Sequence, residues 1–363
     1  MTTNTEQQAR PLPLAETHGA ASARMMTLAG WSVPAYFADP EKEYFAAAEN
    51  VALLDVSFLT IVSARGKDIP DYLNRRLSQR VIEMKPGEGL RANQLNADGR
   101  MEADLEIFRA DDDLHLLIAP PAITGEYLQA LCDKFVFSED AQFGDETGKW
   151  AAFALLGPKA GEVVSGAVAV SSTERIQKVA IGGAEGYLIT SAFFAGAHVV
   201  IVPVANAQAV YAQLEVAVRA VGGLPIGFVP FDTIRVENGI AWYGIDLTEK
   251  SIPLEADLNS AIHTNKGCYP GQETIAKILN LGHPARKLVG VVWETGDPPA
   301  TQTVLEIDSK EIGRITSSTY SPGLKAAIGL AMVRWQHRAP GTKIVATSGI
   351  TGITTSLPFP LTR

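Results

Sequence analysis

Two cysteines, Cys132 and Cys268, are all this chain carries. They are too few and too far apart to build a disulfide framework, a zinc cage or an iron–sulfur ligand set. Positive charge is also scarce: 31 basic residues face 40 acidic ones, a net charge of −9. That balance argues against a broad nucleic-acid surface, although it leaves room for a local basic patch. Long apolar runs are missing. Residues Met1 to Arg10 are polar, and the partly apolar stretch Met25 to Phe37 is interrupted by Gly30 and Pro34 and is too short to span a bilayer. No membrane segment is expected, and the expected location is the reducing cytoplasm. Neither G-x-G-x-x-G nor G-x-x-x-x-G-K-[ST] occurs, which excludes the usual dinucleotide and P-loop cradles. The glycine-rich run Gly182-Gly183-Ala184-Glu185-Gly186 sits between strand-like segments and reads as a β-turn.

What remains is a chain of 363 residues with 46% hydrophobic and 20% charged residues, enough for two or three domains with a sizeable core. Its first fifteen residues or so read as loosely packed. Ile61 to Ala64 reads as a strand. Asp68 to Leu77 reads as a helix, with Ile69, Tyr72, Leu73 and Leu77 on one face and Pro70 in its first turn. Strands are expected over Ala92–Leu95, Met101–Phe108 and Leu114–Ala119, with Asn96-Ala97-Asp98-Gly99 as a turn. A helix from about Pro121 to Phe135 precedes a strand over Trp150–Leu156. Ala197 to Val204 reads as a strand. Ala207 to Val221 reads as a helix stopped by Gly222-Gly223. Pro230 to Asn238 reads as a helix stopped by Gly239. From about Ala285, short strands alternate with Gly and Pro turns, the pattern of a small all-β barrel. The order is α+β followed by all-β, with expected boundaries at 16–284 and 285–363.

The densest segment is Lys266-Gly267-Cys268-Tyr269-Pro270-Gly271-Gln272-Glu273. Two glycines and a proline force a tight, irregular loop. Lys266 lies two residues from Cys268, and a nearby cation favours the thiolate. A reactive thiol at a binding site is one reading; a small buried core cysteine is the other. His263, Cys268 and His283 match no zinc spacing, so no metal site is expected. Trp242 and Tyr243 read as either a stacking platform or core.

The Lys-Gly-Cys-Tyr-x-Gly-Gln-Glu run resembles the motif of YgfZ-type folate-binding proteins, a branch of the glycine-cleavage T-protein superfamily. Gly99-Arg100 with Asp104-Leu105 resembles the same branch. Leu54-Asp55-Val56-Ser57, Arg235-Val236-Glu237-Asn238-Gly239, Tyr243-Gly244-Ile245-Asp246 and Ile252-Pro253-Leu254-Glu255-Ala256 are similar to segments of the wider superfamily. Ala29-Gly30-Trp31-Ser32-Val33-Pro34 is similar to true T-proteins.

The resemblance implies three lobes around a central hole, an α+β fold closed by a C-terminal all-β barrel, and tetrahydrofolate or a derivative in the hole. It implies Glu237 as the pterin contact, since a carboxylate accepts two adjacent N–H donors of a pterin edge. Lys266, Tyr269, Gln272, Glu273 and Arg235 are the further candidate binding residues, although Arg235 is two positions from Glu237 and faces another side of a helix, where it reads as structural. Cys268 and Asp104 are the candidate catalytic groups. True T-proteins carry two adjacent acids where this chain has Ala103-Asp104, and a lone strand acid is more often a solvent-facing charge. The first function implied is a folate-binding accessory protein in iron–sulfur cluster assembly or repair. Its partners would be folate and iron–sulfur assembly proteins or client enzymes, with tRNA modification as a further link. The alternative is a folate-dependent aminomethyltransferase or demethylase; a third is an interaction protein that kept the fold without the ligand. The spatial expectation behind the first reading is that Cys268 and Glu237 line one cavity.

Overall fold

The computed structural model describes residues 9–167 and 174–360. Three large sheets carry the architecture, beside a small three-stranded one in the order Arg10–Pro11, Trp31–Tyr36 and Arg24–Leu28. The first is five-stranded and antiparallel, in the spatial order Gly89–Leu95, Met101–Arg109, Leu114–Ala119, Thr60–Arg65 and Gln142–Asp145. The second is six-stranded, in the order Ile176–Ile181, Ala184–Ser191, Ala197–Pro203, Trp150–Leu156, Ala52–Asp55 and Leu224–Ile226. The third is a closed barrel of Arg286–Trp293, Ala326–Arg334, Lys310–Ser321, Val304–Ile307, Lys343–Ala346 and Thr351–Thr355. This is the expected α+β arrangement with a C-terminal all-β barrel.

Strand alternation explains how the first sheet is used. Ala103, Leu105 and Ile107 point to one face and pack with Ile69, Tyr72 and Leu73 of helix Ile69–Arg76 and Leu128 of helix Gly125–Asp133. The opposite face, with Phe108, Leu116 and Ile118, packs on Phe193, Phe194 and Trp242 from the second lobe. Both faces are therefore covered. Every residue from Ala103 to Phe108 is buried, so Asp104 is not the solvent-facing strand acid that its isolation in the sequence favoured.

Most expected elements appear with shifted ends. Helix Gly125–Asp133 begins four residues after Pro121, because Thr124 caps it by accepting from the Tyr127 N–H. Helix Phe228–Glu237 starts before Pro230. Gly182 and Gly183, at φ +58° and +76°, form the two-residue turn between strands Ile176–Ile181 and Ala184–Ser191. The segment before Ala15 departs from expectation over its described part. Arg10–Pro11 pairs with Trp31–Ser32, and Leu12 and Leu14 are buried; residues 1–8 lie outside the described residues. Apolar side chains at alternate positions there have a sheet to pack on, which a local reading of a proline-rich stretch does not reveal. Among the described residues, no helix is long and apolar enough to cross a membrane.

Candidate functional site

The hairpin of Gly89–Leu95 and Met101–Arg109 sets four polar side chains on one face. Register places Asn93 opposite Asp104 and Arg91 opposite Glu106. Asp104 is fully buried. Its carboxylate accepts from Arg91 Nε at 3.0 Å, Arg91 Nη2 at 2.5 Å and Asn93 Nδ2 at 2.9 Å. The Arg91 guanidinium also lies over the Phe193 ring, 4.9 Å from its centroid. Glu106 accepts from Ser191 Oγ at 2.5 Å and from the Ala192 N–H at 2.6 Å, tying the first sheet to the second lobe. Burial raises the Glu106 pKa above the usual carboxylate range, and those hydrogen bonds and the Arg91 charge only partly oppose it.

Arg91 and Ala192 open onto a cavity of about 260 Å³ where the three lobes meet. Ile240, Ala241, Leu258, Leu288 and Leu357 supply apolar walls, and Asn238 and Ser260 supply polar groups. Asn238 also lines a wider depression of about 570 Å³ beside Phe194 and Gly157. Together these give a concavity in which polar and apolar surface are about evenly mixed.

Glu237 stands beside this cavity in sequence and is fully buried. Both its oxygens accept from Tyr44 Oη, at 2.8 and 3.0 Å, and Oε1 also accepts from Ser321 Oγ at 2.5 Å. A pterin contact by Glu237 would require release of these partners. Arg235 is likewise fully buried. It donates to Asp232 at 2.9 Å, the Ile240 carbonyl at 2.7 Å, Asp246 at 2.6 Å and Ser317 at 2.7 Å. Asp246 in turn accepts from Thr316, Ser317 and the Trp242 N–H. This network joins helix Phe228–Glu237 to the barrel, the structural role the sequence allowed for Arg235. Trp242 is core, packed among Phe58, Phe194, Phe228 and Phe231.

The Lys266–Glu273 segment lies elsewhere. Lys266 Nζ donates to the carbonyls of Asn74, Leu77 and Gln79, at 2.5, 2.6 and 2.9 Å, and so closes the C-terminal end of helix Ile69–Arg76. Gly271, at φ +78°, caps helix Gln272–Leu281 and lies against the Asn96–Gly99 turn. A Cβ there would sit 2.6 Å from the Asn96 carbonyl oxygen and 2.7 Å from Gly99 Cα. The two glycine-bearing motifs are thus the two sides of one close contact. Gln272 accepts from the Tyr269 N–H at 3.2 Å, Tyr269 is buried, and Glu273 and Cys268 are exposed.

Lys266, Tyr269 and Gln272 line a cavity of only about 110 Å³, well below the volume of ordinary ligand pockets. Neither it nor the junction cavity is lined by Cys268 or Glu237. Among the described residues, no group of three His, Cys, Asp or Glu side chains could hold a metal ion. The residue missed from sequence is Arg91. Its signal was available: in the Asn96–Gly99 hairpin it stands diagonal to Asp104, within reach of a long side chain.

Comparison with known proteins agrees with this architecture. Residues 14–266 match the profile described as the GCVT N-terminal domain, and residues 286–353 match the glycine cleavage T-protein C-terminal barrel domain. The chain is 28% identical to an aminomethyltransferase of Oceanobacillus iheyensis over 92% of each chain. It is 30% identical to one of Alcanivorax borkumensis over 88% of each. The crystal structure of glycine cleavage system aminomethyltransferase T from Bartonella henselae has the same fold, with a TM-score of 0.87 at 23% identity, covering 98% of this chain and 99% of that one.

Proposed function

Since this chain belongs to the glycine-cleavage T-protein family, we propose that it is a tetrahydrofolate-dependent one-carbon transferase of the aminomethyltransferase type. Its site is the junction cavity. The observation that carries this reading is the placement of a largely buried Arg91–Asp104 pair on a concavity of mixed polar and apolar lining between all three lobes. The names of the relatives favour this activity over the iron–sulfur role that the Lys266–Glu273 motif favoured.

The cavity suits a flat heteroaromatic body by its walls rather than by Glu237. Ile240, Leu258, Leu288 and Leu357 offer apolar surface to ring faces and exclude water, while Asn238 and Ser260 offer polar groups at its edge. Tetrahydrofolate, when bound, supplies the ring and side-chain amine nitrogens that accept a one-carbon unit. Asp104 does not reach the cavity by itself, because Arg91 and Asn93 occupy its oxygens. It acts by orienting Arg91. Calorimetric titration with tetrahydrofolate tests the reading: saturable binding is expected, and a flat titration overturns it. Glu237→Ala should leave the affinity of the folded protein within about twofold while lowering stability, since Tyr44 and Ser321 lose a buried acceptor.

A second reading rests on one feature, the exposed Cys268 thiol on a glycine-bounded loop. An accessory role in iron–sulfur cluster assembly would use that thiol at a protein surface. Complementation of an iron–sulfur defect by the wild type and not by Cys268→Ala would support it; equal complementation, or none by either, removes it.

A further inference from the structure

The Arg91 guanidinium is only half used. Nε and Nη2 meet Asp104, and Nη1 bonds to no described residue. Nη1 is also not among the polar atoms sealed from solvent. The side chain is 12% exposed, and Arg91 lines the junction cavity. A guanidinium is a rigid planar fork of donors with no acceptor. Its free edge therefore calls for an acceptor, and a pair of oxygens suits it best. A protonated amine offers no lone pair and meets like charge there. No lining carboxylate competes for the edge. Asp257, the one acid in the lining, pairs with Lys287 and its side chain is 68% exposed. Asp104 and the Phe193 ring hold the guanidinium in place before any ligand arrives, so little ordering is left to oppose binding.

We propose that Arg91 anchors a carboxylate of the ligand bound in the junction cavity. The inference rests on the folate reading and sharpens it. Two sources carry this chemistry: the glutamyl tail of tetrahydrofolate, and a small carboxylate-bearing one-carbon donor. In either case the oxyanion sits on the Nη1 edge and Asp104 backs the guanidinium as a positioning residue.

Calorimetry on the full chain distinguishes the cases. The probes are tetrahydrofolate, 6-methyltetrahydropterin, which carries no carboxylate, and methoxyacetate titrated with and without 6-methyltetrahydropterin. The comparison protein is Arg91→Gln/Asp104→Asn, which replaces the buried ion pair with two neutral amides. If the tail is anchored, the wild type binds tetrahydrofolate at least tenfold tighter than the double variant does, while 6-methyltetrahydropterin binds both alike. If a donor is anchored, methoxyacetate binds the wild type and loses at least tenfold in the variant, while the affinities for tetrahydrofolate and 6-methyltetrahydropterin are unchanged. A wild type that binds neither pterin ends the folate reading, and methoxyacetate alone then decides the role of Arg91. Equal affinity of both proteins for every carboxylate probe, or no carboxylate binding, overturns the proposal. Should the double variant fail to melt cooperatively, Arg91→Lys replaces it. That change keeps the charge and loses the fork, and the same tenfold loss is expected.

Discussion

The junction cavity and the Lys266–Glu273 segment make an instructive pair. In the sequence the segment is conspicuous, with two glycines, a proline, a lysine and a cysteine within eight residues, whereas Arg91 is one arginine in an ordinary strand. In the fold the weights reverse. The lysine closes a helix end, one glycine permits a close backbone contact, and the cavity beside them is small. Arg91 reaches the larger space where three lobes meet. Unusual residues mark backbone demands as readily as chemistry, because a positive φ or an uncapped helix end selects side chains as strictly as a ligand does.

The comparison breaks most visibly at the edge of the junction. Arg235→Ala should leave Asp246 buried without its cation and lower stability by about 3–5 kcal/mol, read as a denaturant midpoint. A loss below about 1 kcal/mol would mean that the Arg235 network does not hold helix Phe228–Glu237 to the barrel. Next in size is the segment itself. Gly271→Ala must place a Cβ 2.6 Å from the Asn96 carbonyl at a positive φ and should cost roughly 2 kcal/mol or more. Gly267→Ala, with nothing within 4 Å of its Cβ, should change stability by no more than about 0.5 kcal/mol. Equal effects at the two glycines would dissolve the close-contact explanation.

A smaller effect separates the two regions by pH. Glu106 has a folded-state pKa above its unfolded value, chiefly through burial. Between those two values the native state holds the extra proton, so the stability this group contributes is present below the unfolded pKa and declines as pH rises toward the folded one. Glu106→Gln should remove that decline. The variant should gain on the wild type as pH is raised from about 4.5, the ordinary glutamate value, in thermal melts across the acidic range. Parallel curves would mean that the carboxyl is not perturbed in the fold. Smallest of all, Cys268→Ala should leave stability within about 0.5 kcal/mol and tetrahydrofolate affinity unaltered, since the thiol is exposed and lines neither cavity. A large loss of affinity would return the site to the loop.

Much of this architecture is legible in the sequence because periodicity and turn residues are local. The strands Met101–Arg109 and Leu114–Ala119 and the helix Ala207–Ala220 fall within a residue or so of expectation. Asp104 shows where local reading stops. Alternation tells which residues share a face but not whether a second layer covers it, and here Phe193, Phe194 and Trp242 do. Leu12 and Leu14 were hidden for the same reason. Glu237 could be placed on a helix from its spacing, yet its partners Tyr44 and Ser321 are distant in the chain, so nothing nearby in sequence announced that its carboxylate was already taken.

A crystal structure of the chain grown with tetrahydrofolate decides most directly between the two regions. The pterin is expected between Ala241, Leu258 and Leu288, with a ligand oxygen within about 3.2 Å of Arg91 Nη1 where the glutamyl tail is the anchored carboxylate. Density against Tyr269 and Gln272, with the junction cavity holding only water, would contradict it.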